Sequence, residues 1–198
     1  MTTNANVDDR LRFMKLEGRA AQAVRSLQPI IKSELPGALD AFYEQVRAFP
    51  ETRAFFRDEA QISSAKGRQV SHWDIISSAD FGENYVRGVR KVGETHARIG
   101  LEPRWYIGGY ALVLERLIQA VIREAWPKPG FQRKSSGEPV AEAVGALVKA
   151  ALLDMDLAIS VYIDAADEAR RRAEETAIAQ MQELVVNRLG EALAALAG

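Results

Sequence analysis

Nowhere does this chain alternate apolar and polar residues with the two-residue period of a half-buried strand, whereas spacings of three and four recur throughout. Ala21, Val24, Leu27, Ile30 and Ile31 share one helical face, for example. An all-α fold follows, and the turn residues mark its divisions. Asp8 or Asp9 can cap a first helix that carries Leu11, Met14 and Leu16. A second helix is expected from about Gly18 to Lys32. A third places Pro36 in its first turn and stops before Pro50. After a turn through Phe55-Phe56, Ser63 or Ser64 is expected to cap a helix reaching about Ser77. Asp80 then starts one that ends at Gly100. Pro103 opens the next, which ends at Trp126-Pro127-Lys128-Pro129-Gly130. That loop continues through Ser135-Ser136-Gly137, and Pro139 begins the last helix. There is no internal repeat.

The last helix does not stop where a domain would. It runs past Arg170-Arg171-Arg172 to the C-terminus without a proline, supported on its solvated part by Glu168–Arg172 and Arg170–Glu174, each pair one turn apart. A helix much beyond ~25 residues needs a partner helix, and Val185 to Leu196 reads as the start of a coiled segment. The expected organisation is a domain over 1–168, then, over 169–198, the start of a signalling helix leading to an output module.

With 198 residues, 47% hydrophobic and 27% charged, the chain can bury a sizeable core. Its net charge of −1 gives no general attraction to nucleic acid. The polar first ten residues lack the apolar centre of a signal peptide, and the uncharged run Trp105–Leu114 is too short to span a membrane, so a cytoplasmic location is expected. The absence of cysteine excludes disulfides, thiolate-ligated haem, iron–sulfur clusters, Cys-type zinc sites and covalent c-type haem attachment.

His96 is one of two histidines. It precedes an abrupt break, since Gly100 lets the chain turn and Pro103 pre-sets the next helix, which brings back Trp105, Tyr106 and Tyr110. An imidazole followed by an aromatic-rich helix suits a buried, flat, iron-bearing cofactor. Other chemistry is weakly represented. No His-Glu-x-x-His pattern exists, Asp154 and Asp156 do not share a helix face, and Gly108-Gly109 reads as a close-packing point.

The run His96-Ala-Arg98-Ile99-Gly100-Leu101-Glu-Pro103-Arg-Trp105-Tyr106 resembles the sensor domain of globin-coupled sensors, and the resemblance extends over about residues 8 to 170. It implies a globin fold with an extra N-terminal helix, dimerising through the last two globin helices. His96 would be the proximal ligand of a haem b, with Ile99, Trp105, Tyr106 and Tyr110 near the proximal face. Phe42-Tyr43 matches the family's Phe-Tyr pair, in which the tyrosine reaches over the distal face and can donate a hydrogen bond to O2. Val46 stands on the same helix, and Phe56 corresponds to the aromatic that wedges the haem. Spacing along the opposing helix puts Ala65, Arg68, Gln69 and His72 on one face. Here the chain departs from relatives that carry a Ser or Thr hydroxyl, which places a second hydrogen bond to the ligand in doubt. His72 fits a buried or propionate-side role better than a second axial ligand.

The resulting expectation is a cytoplasmic, homodimeric sensor that reversibly binds O2, CO or NO and signals to an output module, most simply a chemotaxis transducer. It is not expected to be an enzyme itself. The alternatives are the sensor of a diguanylate cyclase or histidine kinase, a haem enzyme that oxidises NO or reduces peroxide, and a haem-free helical dimerisation module.

Overall fold

The computed structural model describes residues 3–126 and 137–197. Eight helices and no strand occur among them: α1 (Thr3–Met14), α2 (Arg19–Ser26), α3 (Gln28–Ala48), α4 (Pro50–Arg53), α5 (Glu59–Ser78), α6 (Glu83–Ile99), α7 (Pro103–Ala125) and α8 (Glu138–Ala197). The expected loop through Pro127–Gly130 and Ser135-Ser136 lies outside the described residues.

Several boundaries differ from the sequence reading. The first helix is under way from Thr3, so Asp8 and Asp9 lie within it and face solvent rather than capping it. The helix expected over 18–32 is broken at Leu27, where the Leu27 N–H bonds to Val24 O and the side chain turns into the core. Pro29 occupies the first turn of α3, the role expected of Pro36. Pro36 lies inside the helix with its side chain exposed, so the carbonyl it leaves unpaired stands on the solvent side. At α5 the N-cap is Asp58, whose Oδ1 accepts from Gln61 N at 2.8 Å, while Gln61 Oε1 accepts from Arg57 N at 2.7 Å. This reciprocal arrangement starts the helix a turn before Ser63 or Ser64. Gly82, not Asp80, precedes α6.

Leu39, Leu117, Val121, Leu147, Leu153 and Tyr85 fill the centre, where α3 packs on α7 and α6 packs on α8. The α6–α8 contact is made close by Gly93. A Cβ there would lie 2.6 Å from Ala158 O and 2.8 Å from Val161 Cβ. α1 adds Val7 and Leu11 to the core and is tied to α8 by an ion pair from Arg10 to Asp156 and a 3.2 Å bond from Arg10 to Ser160. α8 is a single helix of 60 residues, about 90 Å long at 1.5 Å per residue. Its first half packs in the body; every described side chain from Ala166 to Ala194 is exposed.

Candidate haem site

His96 sits in the last turn of α6, and the chain after it is locked locally. Gly100 adopts φ 71°, its N–H bonds to Ala97 O at 3.1 Å, and Leu101 N bonds to His96 O at 2.9 Å. This paired closure requires a left-handed residue at Gly100 and holds the His96 backbone in place. Leu101, Pro103, Tyr106, Ala158, Ile159 and Tyr162 surround the imidazole around a crevice of about 10 Å³. Burial pushes the His96 pKa down to about 4. The side chain is therefore neutral at ordinary pH, as a metal ligand must be. Its ring meets Tyr106 edge-on, with centroids 4.8 Å apart, and Tyr106 meets Tyr110 at 5.0 Å.

A second cluster forms on α3 and α5. Tyr43, Val46 and Ile62 make a small buried cluster with Phe42, Phe56 and Ala65 packed against it. Tyr43 touches Phe42 at 4.9 Å and Phe56 at 6.0 Å. Burial raises the Tyr43 pKa to about 12 against the opposing charge of Arg68, so the phenol keeps its proton, and no hydrogen bond engages that hydroxyl among the described residues. Gln69, one turn beyond Ala65, buries its Oε1 without a partner. Arg68 points outward and bonds Ser64 Oγ at 2.7 Å. Gly109 makes room for Phe42, whose Cε2 would lie 2.9 Å from an added Cβ. Gly108, by contrast, meets nothing within 4 Å, so only one of the two glycines serves packing inside the chain.

Of the residues expected near a cofactor, His96, Tyr106 and Tyr110 thus stand together, and Tyr43, Val46, Phe42, Phe56 and Ala65 form a second cluster, with Gln69 one turn further along α5. Ile99 is 41% exposed, and Trp105 packs on Phe49 at 6.2 Å with Arg104 over its ring, at the margin of both. His72 is engaged by Asp154, the carboxylate that also accepts from Tyr110. Its Nε2 lies 2.9 and 3.0 Å from the two carboxylate oxygens of Asp154. Burial alone would lower the His72 pKa, but the hydrogen bond and charge of Asp154 outweigh it and raise it. Sequence spacing separates Asp154 from Asp156 but does not reveal its partners, which stand 82 and 44 residues away.

These residues fit a flat, largely apolar cofactor with one axial ligand. A neutral imidazole ends α6, α5 and α6 meet only along a short stretch, and the cluster on α3 and α5 brings a Tyr43 hydroxyl with no hydrogen bond among the described residues and, one turn on, a buried Gln69 Oε1 without a partner. An orphaned buried polar atom such as Gln69 Oε1 calls for an explanation in a folded protein, and a small polar ligand beside it supplies one.

Helices packed around a half-buried histidine, with a break and an aromatic helix after it, are the arrangement of a globin. The protoglobin family profile matches residues 3–168, and the chain belongs to that family. Among curated proteins it is similar to the heme-based aerotactic transducer HemAT of Halobacterium salinarum, with 19% identity over 161 residues, which is 81% of this chain and 33% of that protein. The chain therefore spans about a third of the length of this relative. Among solved structures it resembles the globin domain of the Geobacter sulfurreducens globin-coupled sensor, with TM-score 0.68 and 17% identity over 78% of this chain and 96% of that one. It also resembles the ferric globin domain of E. coli DosC, with TM-score 0.63 and 16% identity over 79% of this chain and 99% of that one. The fold is thus that of a globin with an additional N-terminal helix.

Proposed function

We propose that this chain is a gas-sensing domain that holds a haem b through His96, binds O2 reversibly, with CO and NO as further ligands, and passes its ligand state along α8 to an output module. The observation that carries the reading is the presence, in one small fold, of a neutral, half-buried His96 and of a second cluster whose Tyr43 hydroxyl makes no hydrogen bond among the described residues, with a buried, partnerless Gln69 Oε1 one turn beyond it. The haem would supply an iron able to bind a diatomic gas. The chain's own residues do the rest. His96 provides one neutral nitrogen donor, the α3 and α5 side chains keep bulk water from the opposite side, and Tyr43 offers a hydrogen bond to a partly charged ligand.

The same reading takes the domain as a homodimer. Ala141, Gly145, Val148, Leu152, Met155 and Ile159 repeat at alternating spacings of four and three along α8, a coiled-coil seam that Ile163 extends one turn further. Leu152 is 41% and Ile163 51% exposed, Gly145 and Gly108 meet nothing within the chain, and α7 adds exposed Leu112 and Ile122. A second copy would cover these faces as a four-helix bundle of α7 and α8. An output of the chemotaxis-transducer kind is favoured by the likeness to an aerotactic transducer. No described helix is long and apolar enough to cross a membrane, which supports a cytoplasmic setting. A sensor role, rather than catalysis by the haem, completes the proposal.

Absorption spectra of the purified protein, ferric, ferrous and with CO, test the reading directly. A histidine-ligated haem spectrum that His96→Ala abolishes is the expected result. A normal five-coordinate ferrous spectrum in that variant would remove His96 as the ligand, and a colourless protein that takes up no added haem would end the proposal.

A further inference from the structure

Asp154 is the only Asp, Glu, Lys or Arg with a buried side chain among the described residues, at 0% exposure. A carboxylate without water must be held by protein donors, because an unpaired buried charge is strongly destabilising. Two helices supply them. From α5 comes His72 Nε2, and from α7 the Tyr110 hydroxyl, which donates to Asp154 Oδ2. Tyr85 of α6 brings its buried hydroxyl close enough for the carboxylate to raise its pKa further above the effect of burial, but makes no hydrogen bond of acceptable geometry. The chain of donors continues outward, since the Tyr106 hydroxyl donates to the Tyr110 oxygen at 3.3 Å.

Tyr106 is thereby anchored at its far end while its ring lies edge-on to His96, 4.8 Å away and at 62°. No hydrogen bond reaches the His96 imidazole among the described residues, and the Tyr106 ring is the aromatic group that lies against it. We propose that Asp154 is a positioning residue for His96, acting through the hydroxyls of Tyr110 and Tyr106 to fix the plane of the imidazole. The inference rests on the haem reading in so far as that plane matters to a bound macrocycle. Because Asp154 belongs to α8, the relay also links imidazole orientation to the helix that leaves the domain.

Two histidines make the test simple, since the protein has only two imidazole Cε1–H signals, which His96→Ala assigns. In the haem-free protein, Asp154→Asn and Tyr110→Phe should each move the His96 signal, as the Tyr106 ring current shifts with its anchor. In the ferric, cyanide-ligated holoprotein, the spread of haem-methyl resonances, which follows the imidazole plane, should change in the same variants. The Asp154→Asn/Tyr110→Phe double variant should shift no further than the larger single one, because both cut one chain. Asp156→Asn, two residues along and paired with Arg10 at the surface, should leave both readouts in place. Unmoved His96 and methyl signals in folded Tyr110→Phe would overturn the proposal even if Asp154→Asn fails to fold. So would equal shifts from Asp156→Asn. Failure of the unsubstituted protein to take up haem would defeat the cofactor reading, while the haem-free arm would still decide whether Asp154 positions His96.

Discussion

Replacing Gly93 by alanine measures how far the His96 helix depends on its close approach to α8. An added Cβ would meet Ala158 O at 2.6 Å and Val161 Cβ at 2.8 Å. Carbon–oxygen contacts settle at about 3.3 Å or more, so the two helices must separate by several tenths of an ångström. Overpacking of this kind costs about 1–3 kcal/mol. Against it stands the intrinsic gain from replacing glycine inside a helix, roughly 0.5–1 kcal/mol. Gly67 isolates that gain, since it lies within α5 and an added Cβ meets nothing within 4 Å. Gly67→Ala should therefore stabilise the protein by roughly 0.5–1 kcal/mol. Gly93→Ala should be less stable than Gly67→Ala by about 1–3 kcal/mol. In a chain of this size each kcal/mol moves Tm by about 2–4 °C, so the two variants should differ by several degrees. Urea unfolding followed by far-ultraviolet circular dichroism, on haem-free samples to avoid ligand linkage, gives the comparison. Haem release from Gly93→Ala should also quicken, because His96 stands one turn along the same face. Equal stabilisation by the two substitutions would refute the reasoning.

Three further outcomes are expected. Tyr43→Phe keeps the ring and removes a donor worth about 1.5–3 kcal/mol towards a charged acceptor, so O2 dissociation should quicken by roughly tenfold or more while CO dissociation changes little in stopped-flow traces. Leu152→Glu puts a charge into the α8 seam and should weaken dimerisation by about tenfold or more, seen by sedimentation at micromolar concentration. An unchanged dimer would place the interface elsewhere. The raised pKa of His72 makes a signed statement about pH. Its protonated form is favoured by folding, so the stabilisation is complete below the ordinary histidine value and is lost as pH rises through the raised one. Urea midpoints should fall over that window in the native protein, and His72→Gln should flatten the fall.

What the sequence settled alone is what neighbouring residues determine. Helices follow from three- and four-residue spacing, and the break after His96 follows from Gly100 and Pro103, since a left-handed φ and a preset φ are properties of single residues. Asp58-Glu59-Ala60-Gln61 carried an equally local signal, a cap with its reciprocal partner three residues on, and a search for that pattern would have found the start of α5. Pro36 shows the limit of such rules. A proline signals a helix start only until packing on both sides, by Leu35 and Ala38 against the core, carries the helix through it.

Only the tertiary structure decided the rest. That Gly93 sets the α6–α8 distance depends on the carbonyl of a residue 65 positions later, whereas at five other described helical glycines an added Cβ would meet nothing within 4 Å. That Asp154 is buried rather than solvated depends on His72 and Tyr110, brought to it from two other helices. Spacing within one helix states which residues share a face, but not what that face meets. The role of a charge or a glycine is decided by atoms that only the fold brings within reach.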